Sequence, residues 1–219
     1  MNEENRKIPT HEVTYTKLRD MILYGKLEPG QPVTIQGLIA ELGAGMTPVR
    51  EAIRRLAAEG ALLPQGNRRV TVPRLTVGQL DQLAFMRLSL EPKLAEMAAA
   101  SLTPQAIAKL ESLDADVNRA IEQGSIPDYL QSNHAFHFAL YDLAGAGLLL
   151  DITRSLWLRF GPSLRVVIAQ SGGLGLPDRH LEAINAMQAA DAPGLARAIE
   201  RDITQGIEQV RAALDRNDI

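Results

Sequence analysis

The sequence predicts a mainly α protein in two domains: an N-terminal winged helix-turn-helix with a small β wing, residues 1–75, and an all-α helical bundle, residues 76–219. Three features lead there. The stretch Thr47–Gly60 sets Val49, Ala52, Ile53, Leu56 and Ala57 on one apolar stripe and Arg50 and Arg54 on another face. Two short β-type runs, Ala61–Pro64 and Arg69–Val72, flank a polar turn at Gln65-Gly66-Asn67-Arg68. Beyond Val72-Pro73-Arg74-Leu75 the apolar spacing is helical throughout, with no convincing strand.

Taken in order, Tyr15–Tyr24 reads as a first helix with Leu18, Met21 and Ile22 turned inward. Gly25 ends it, and Leu27-Glu28-Pro29-Gly30 turns the chain. Thr34 is the expected cap of a second helix, Ile35–Leu42, which Gly43 stops. Ala44-Gly45-Met46 leads into a third helix, with Thr47 as expected N-cap, Pro48 as its first residue and Gly60 as its end. A helix, a short glycine-bearing turn and a helix form a helix-turn-helix, and the strand pair that follows is a wing. In the second domain helices are predicted near 77–100, 104–123, 127–144, 147–170, 177–190 and 193–214. The breaks fall at Thr103-Pro104, Gly124-Ser125-Ile126-Pro127, Gly145-Ala146-Gly147, Gly172-Gly173 and Ala192-Pro193. Pro92 is expected to kink the first of these helices near Leu88. Six helices with short connections predict an antiparallel bundle.

Composition narrows the function. A chain of 219 residues has room for two modest domains, and with no cysteine it has no disulfide, thiolate nucleophile or thiolate metal site. The polar start, Met1-Asn2-Glu3-Glu4-Asn5-Arg6-Lys7, does not read as a signal peptide. No apolar run approaches the roughly 20 residues of a membrane span. The expected setting is cytoplasmic, with no membrane partner. The net charge of −3 hides an asymmetry: residues 1–75 carry 11 Lys/Arg against 8 Asp/Glu, net +3, whereas residues 76–219 carry 12 against 18, net −6. The basic excess lies on the winged-helix half, and an acidic bundle repelled by DNA helps orient an encounter.

A helix buried on one side and basic on the other is what a recognition helix requires, because it must dock on its own domain and present cations to phosphates and base edges. Arg50 and Arg54 share the outward face with Thr47, and Asn67, Arg68 and Arg69 at the wing tip are placed to reach a phosphate or the minor groove.

At this point the chain resembles the GntR family of bacterial transcription regulators. The resemblance rests on Leu27-Glu28-Pro29-Gly30, Leu42-Gly43, Thr47-Pro48-Val49-Arg50-Glu51-Ala52, Arg55-Leu56 and Glu59-Gly60, in that order and spacing. It implies a winged helix that reads operator DNA as a homodimer, with contacts at Thr47, Pro48 and Arg50 on the recognition helix and Gly66 and Asn67 at the wing. Two departures stand out. Gly45-Met46 replaces the usual Ser-Arg before Thr-Pro, and Gln36 stands where relatives often carry a charge. Met46 and Gln36 are thus expected at the DNA surface, facing an operator that differs from the usual one.

In the second domain, Arg87-Leu88-Ser89-Leu90-Glu91-Pro92 and Phe136-His137 are similar to the FCD ligand-binding domain of the FadR-type members. Asn133 ahead of Phe136-His137, with Leu156-Trp157 downstream, looks like the VanR-type subgroup. That resemblance implies an all-helical bundle holding a small organic-acid effector, often beside a divalent metal. The residues themselves allow such a metal site. Asn133 and His137 are four apart, one turn along one helix face. His180 and Asp202 lie on consecutive helices, equidistant from residue 191, so an antiparallel hairpin brings them to the same height. Two imidazoles, a carboxylate and an amide oxygen suit zinc, nickel or manganese. The family pattern is usually one Asp and three His. Here Asn133 holds the Asp position and Asp202 the last His position, which implies weaker binding and a shift toward harder ions. The competing reading makes His137 and His180 hydrogen-bonded helix residues. His134 reads as a packing or surface residue.

Arg87, Asn133, Arg159 and Arg165 are the candidate partners of an effector carboxylate. Arg87 has an equal alternative, a salt bridge to Glu91 four residues on. Trp157 and Phe160 read as core, and Gly172-Gly173-Leu174-Gly175 lacks the lysine and preceding strand of a phosphate loop. The sequence thus predicts a dimeric, effector-controlled repressor that is not an enzyme. A metal-responsive regulator and a metal-dependent bundle enzyme with an appended DNA domain are the rival readings.

Overall fold

A computed structural model describes residues 10–66, 69–171 and 179–216. The first part contains α1 (Thr10–Leu23), β1 (Pro32–Thr34), α2 (Ile35–Leu42), α3 (Met46–Ala58), β2 (Leu63–Gln65) and β3 (Arg69–Thr71). The strands form one antiparallel sheet in the order β1-β3-β2, with Val70 of β3 opposite both Val33 and Pro64. β1 was not foreseen. The wing strands sit close to their expected places, though β2 begins two residues later than predicted.

The local chemistry explains most boundaries. Thr34 Oγ1 accepts from the Gly37 N–H at 3.0 Å and caps α2, and Gly43 ends it in the left-handed region. The expected Thr47 cap does not form. α3 begins two residues earlier, at Met46, with Gly45 as N-cap and no side-chain cap, so Pro48 falls within the first turn rather than opening it. Val49, Ala52, Ile53 and Leu56 are buried along α3 and meet Leu18 and Ile22 of α1 and Leu38 of α2 in a common core. Each such aliphatic side chain contributes about 1.5–3 kcal/mol on burial.

The second part is all helix among the described residues: α4 (Val77–Ala98), α5 (Pro104–Glu122), α6 (Ile126–Asp142), α7 (Gly147–Ser171), α8 (Arg179–Gln188) and α9 (Ala192–Asp215), with a short 3-10 turn at Ala99–Ser101. A reciprocal capping box opens α4: the Gln79 N–H donates to Thr76 Oγ1, and the Thr76 N–H donates to Gln79 Oε1. Thr103 caps α5 ahead of Pro104, and Asp191 caps α9. α4 continues on both sides of Pro92, the expected site of a kink. A second internal proline, Pro162, lies within α7. α4 packs along α9, α5 along α6, and α8 along α9, while α7 meets α4, α6 and α9 on one side and α1 on another. No helix among the described residues is long and apolar enough to cross a membrane.

Candidate nucleic-acid interface and metal centre

The exposed face of α3 carries Met46, Thr47, Arg50 and Arg54, with Pro48 half-buried beside them. Met46 is 48% exposed although it is apolar. Gln36 on α2, Gly66 at the end of β2 and Arg69 on β3 are also exposed. Asn67 and Arg68 lie outside the described residues. The basic side chains of α3 are not equivalent. Arg54 is held by Glu51 on the same helix, Nη2 to Oε1 at 2.6 Å. Arg55 stacks on Tyr15, 3.7 Å from the ring centroid, and pairs with Glu12 and Glu59, so it clamps α3 to α1. Tyr15 in turn donates to Glu59; burial and that carboxylate push its hydroxyl up to about 12.

In the bundle, His137 from α6, His180 from α8 and Asp202 from α9 converge, each offering an atom within 4.8 Å of the others. His137 Nε2 lies 3.1 Å from Asp202 Oδ2 and 3.4 Å from His180 Nε2. The outer nitrogens are engaged. Tyr141 donates its hydroxyl to Glu91 at 2.9 Å, so its oxygen accepts from the Nδ1–H of His137 at 3.0 Å. His180 Nδ1 donates to Asp114 Oδ1 at 3.0 Å, and Asn118 donates to the other oxygen of Asp114. These partners select the tautomer in which each Nε2 carries its lone pair toward the centre, the arrangement of imidazoles that ligate a metal. In that tautomer three acceptors face one another. A proton on His137 Nε2 satisfies one pair, whereas a divalent ion satisfies all three. The donor set therefore fits a metal.

Burial by itself raises the Asp202 carboxyl, but with a proton on His137 Nε2 the hydrogen bond and charge of that ring, with His180 and Arg87, outweigh it and hold the group at about 2. Asp202 is thus a carboxylate throughout the physiological range. Nearby, burial and the Asp202 charge raise the Tyr129 hydroxyl, keeping it a neutral donor.

A cavity opens beside this cluster. Its polar lining includes Asn133, Tyr129, Asp202 and Arg87, and its apolar wall comes from α7 through Trp157 and Phe160. Asn133 is buried one turn before His137, as its spacing predicts. Arg87 reaches the cavity with its charge already matched: Nε to Glu91 Oε1 is 2.6 Å and Nη2 to Oε2 is 3.3 Å, which is the alternative reading of the Arg87–Glu91 spacing. Its guanidinium lies over the rings of Trp157 and Phe160. Trp157 and Phe160 are both core and cavity wall. His134 packs among Tyr24, Phe138 and Trp157, where burial and the positive charges of Arg19 and Arg154 push its imidazole down to about 3.

Arg159 and Arg165, expected among the partners of an effector carboxylate, do not line this cavity. Both reach the N-terminal part of the chain instead: Arg159 donates to the Glu59 carbonyl at 3.0 Å and Arg165 pairs with Glu28. Asp114 and Tyr141, which fix the two imidazoles, were missed. A spacing signal existed for Tyr141, four residues after His137, but none linked Asp114 to His180.

Comparison with known proteins agrees with this architecture. Residues 10–72 match the family model for bacterial regulatory proteins of the gntR family, and residues 82–205 match that for the FCD domain. The chain is 30% identical over 194 residues to the HTH-type transcriptional regulator McbR of Escherichia coli K12, covering 87% of each protein. It is 25% identical over 210 residues to the HTH-type transcriptional repressor RspR of the same organism, covering 93% of this chain and 91% of that one. The solved structure of E. coli McbR/YncC superposes with a TM-score of 0.88 at 27% identity, over 94% of this chain and 99% of that one. Those relatives are transcription regulators, and the rival enzyme reading falls with them. The chain belongs to the GntR family of bacterial regulatory proteins, with a DNA-binding helix-turn-helix domain followed by an FCD domain.

Proposed function

We propose that this protein is a homodimeric transcriptional repressor whose bundle binds a divalent metal through His137, His180 and Asp202, with Asn133 alongside, and a small carboxylic acid in the adjoining cavity. The observation that carries this reading is the convergence of two imidazole Nε2 atoms and one carboxylate, with both outer nitrogens already hydrogen-bonded. A divalent ion there supplies the positive charge an acid needs, since Glu91 already matches the charge of Arg87. Two of the five N–H donors of Arg87 engage Glu91, and the others remain to orient a carboxylate. On the DNA side the assigned contacts are Gln36, Met46, Thr47, Pro48, Arg50 and Arg54 around α3, with Gly66, Asn67, Arg68 and Arg69 at the wing. Two such surfaces in a dimer suit successive major grooves of a pseudo-palindromic operator.

The test is elemental analysis of purified protein with a thermal-shift screen of small carboxylic acids, with and without chelator. Stoichiometric metal, and an acid that stabilises only the loaded protein, are the expected results. An acid that stabilises chelated protein equally well refutes the metal's part in effector binding. Stabilisation by metal alone, with no acid adding to it, favours a regulator that senses the ion itself.

A further inference from the structure

α7 has two working faces. Trp157, Phe160, Leu164 and Ile168 recur at helical spacing and line the effector cavity. Arg159 projects from the far side of the helix, and with Gly161 and Arg165 it meets the DNA-binding domain. There Arg159 Nε donates to the carbonyl of Glu59, the C-cap of recognition helix α3. Gly60 follows at φ +73, which favours glycine, and a Cβ there would lie 2.8 Å from the Arg159 guanidinium and displace it. Arg165 pairs with Glu28 and crosses Gly25, where a Cβ would lie 2.1 Å from its side chain. A Cβ at Gly161 would lie 2.7 Å from the Leu23 carbonyl, so the α7 backbone rests on the end of α1.

A run of hydrogen bonds joins the metal cluster to this helix: His137 Nδ1 to Tyr141, Tyr141 to Glu91, and Trp157 Nε1 to the same Glu91 oxygen at 2.9 Å. Arg159 is two residues further along α7. Between cavity and interface, Pro162 supplies no N–H to the Leu158 carbonyl, so one rung of the α7 ladder is missing.

We propose that α7 couples the bundle site to the recognition helix, with Arg159 as the positioning residue that holds the C-terminal end of α3 and moves it when the Trp157 face repacks. This deepens the reading of the bundle as a regulatory site and rests on it. A guanidinium at a helix C-terminus also meets the negative end of the helix dipole, so its displacement changes how α3 is seated and not only a surface contact. Coupling of this kind is reciprocal: if occupancy of the bundle changes DNA affinity, DNA must change the state of the bundle by the same factor.

That reciprocity allows a test without knowing the effector. Trp157 is the only tryptophan in the chain, so its emission reports on the cavity wall. An operator duplex is first selected on the full-length protein from a random library. It is then titrated into wild type, Arg159→Ala, Arg159→Lys and Arg165→Ala, with duplex binding and Trp157 emission followed in parallel and zinc affinity measured with and without duplex. The wild type should show a Trp157 response on duplex binding and a roughly 5–150-fold change in zinc affinity. Arg159→Ala should still bind duplex but lose the emission response and reduce the change in zinc affinity to within about twofold. Arg159 is exposed, so its truncation leaves the core intact. Arg159→Lys keeps a donor and a cation and should retain part of the response, and Arg165→Ala most of it.

A wild-type Trp157 signal indifferent to saturating duplex, or an equal response in Arg159→Ala, overturns the coupling. So does a response lost in Arg165→Ala but kept in Arg159→Ala. An emission response that depends on Arg159 in a protein that binds no zinc sustains the coupling and refutes the metal reading alone.

Discussion

His137 and His180 face each other Nε2 to Nε2 across 3.4 Å, and each has already committed its Nδ1 hydrogen to a partner. Two ring nitrogens and the Asp202 carboxylate so arranged are a donor set that suits a divalent cation. Zinc at 100 times its dissociation constant should stabilise the fold by about 2.7 kcal/mol, read as a rise in Tm that chelator reverses. His180→Ala should abolish this rise. Asp114→Asn leaves all three proposed ligands in place but weakens the acceptor that fixes His180, and should lower zinc affinity about 10–100-fold. Unaltered affinity in Asp114→Asn would show that His180 is oriented by packing on Phe136 instead, its stacked neighbour at 4.1 Å.

Arg50 and Arg54 share an exposed face of α3 but differ in freedom. Arg54 must leave Glu51 to reach DNA, so part of its gain offsets a lost ion pair. Arg50→Ala is expected to cost about 1–3 kcal/mol of operator affinity, and more than Arg54→Ala. If Arg50 contacts a phosphate, the slope of log K against log salt should flatten by about 0.9 in its alanine variant. Glu51→Gln should tighten binding by removing a negative charge from the face. Equal losses for the two arginines in a salt-matched titration would refute the distinction.

Much of this was legible in the sequence because it is local. The α3 stripe, the Thr34 cap, the breaks at Thr103-Pro104 and Ala192-Pro193 and the His137–Asn133 spacing all act within one or two turns. The hairpin arithmetic also brought His180 and Asp202 into one cluster, with His137 as the shared neighbour. Pro32-Val33-Thr34 escaped notice because three residues beginning with proline carry no strand period of their own; β1 exists because β3 has an unpaired edge to satisfy. Arg159 and Arg165 lie away from the cavity for a different reason. Periodicity divides α7 into faces but does not say which face meets which neighbour. Asp114 was invisible because a carboxylate on an amphipathic helix reads as solvated until α8 is packed over it.

Glu91 accepts from Arg87, Tyr141 and Trp157 while wholly buried, so it is the centre of the bundle's polar network. Glu91→Ala strands a buried guanidinium and should destabilise the protein by about 3–5 kcal/mol in urea unfolding. Adding Arg87→Met to that variant should recover part of the loss, because the uncompensated charge goes with it. A double variant no more stable than Glu91→Ala alone would mean that the lost Tyr141 and Trp157 bonds, and not the stranded charge, dominate the cost.

His134 gives the fold a defined acid sensitivity. Its imidazole titrates near 3 in the folded protein and near 6.5 when unfolded, chiefly because burial among Tyr24, Phe138 and Trp157 penalises the cation. The unfolded chain therefore binds the extra proton first. The contribution is complete above pH 6.5 and declines as pH falls toward 3, by up to about 1.4 kcal/mol per pH unit. His134→Phe keeps an aromatic ring against Phe138 but cannot take a proton. Its unfolding free energy should fall less steeply than that of the wild type between pH 6.5 and 4, and the two curves should run parallel above pH 7. Parallel curves across the whole range would mean that His134 reaches solvent and protonates without unfolding, and that its contact with Tyr24 opens in acid.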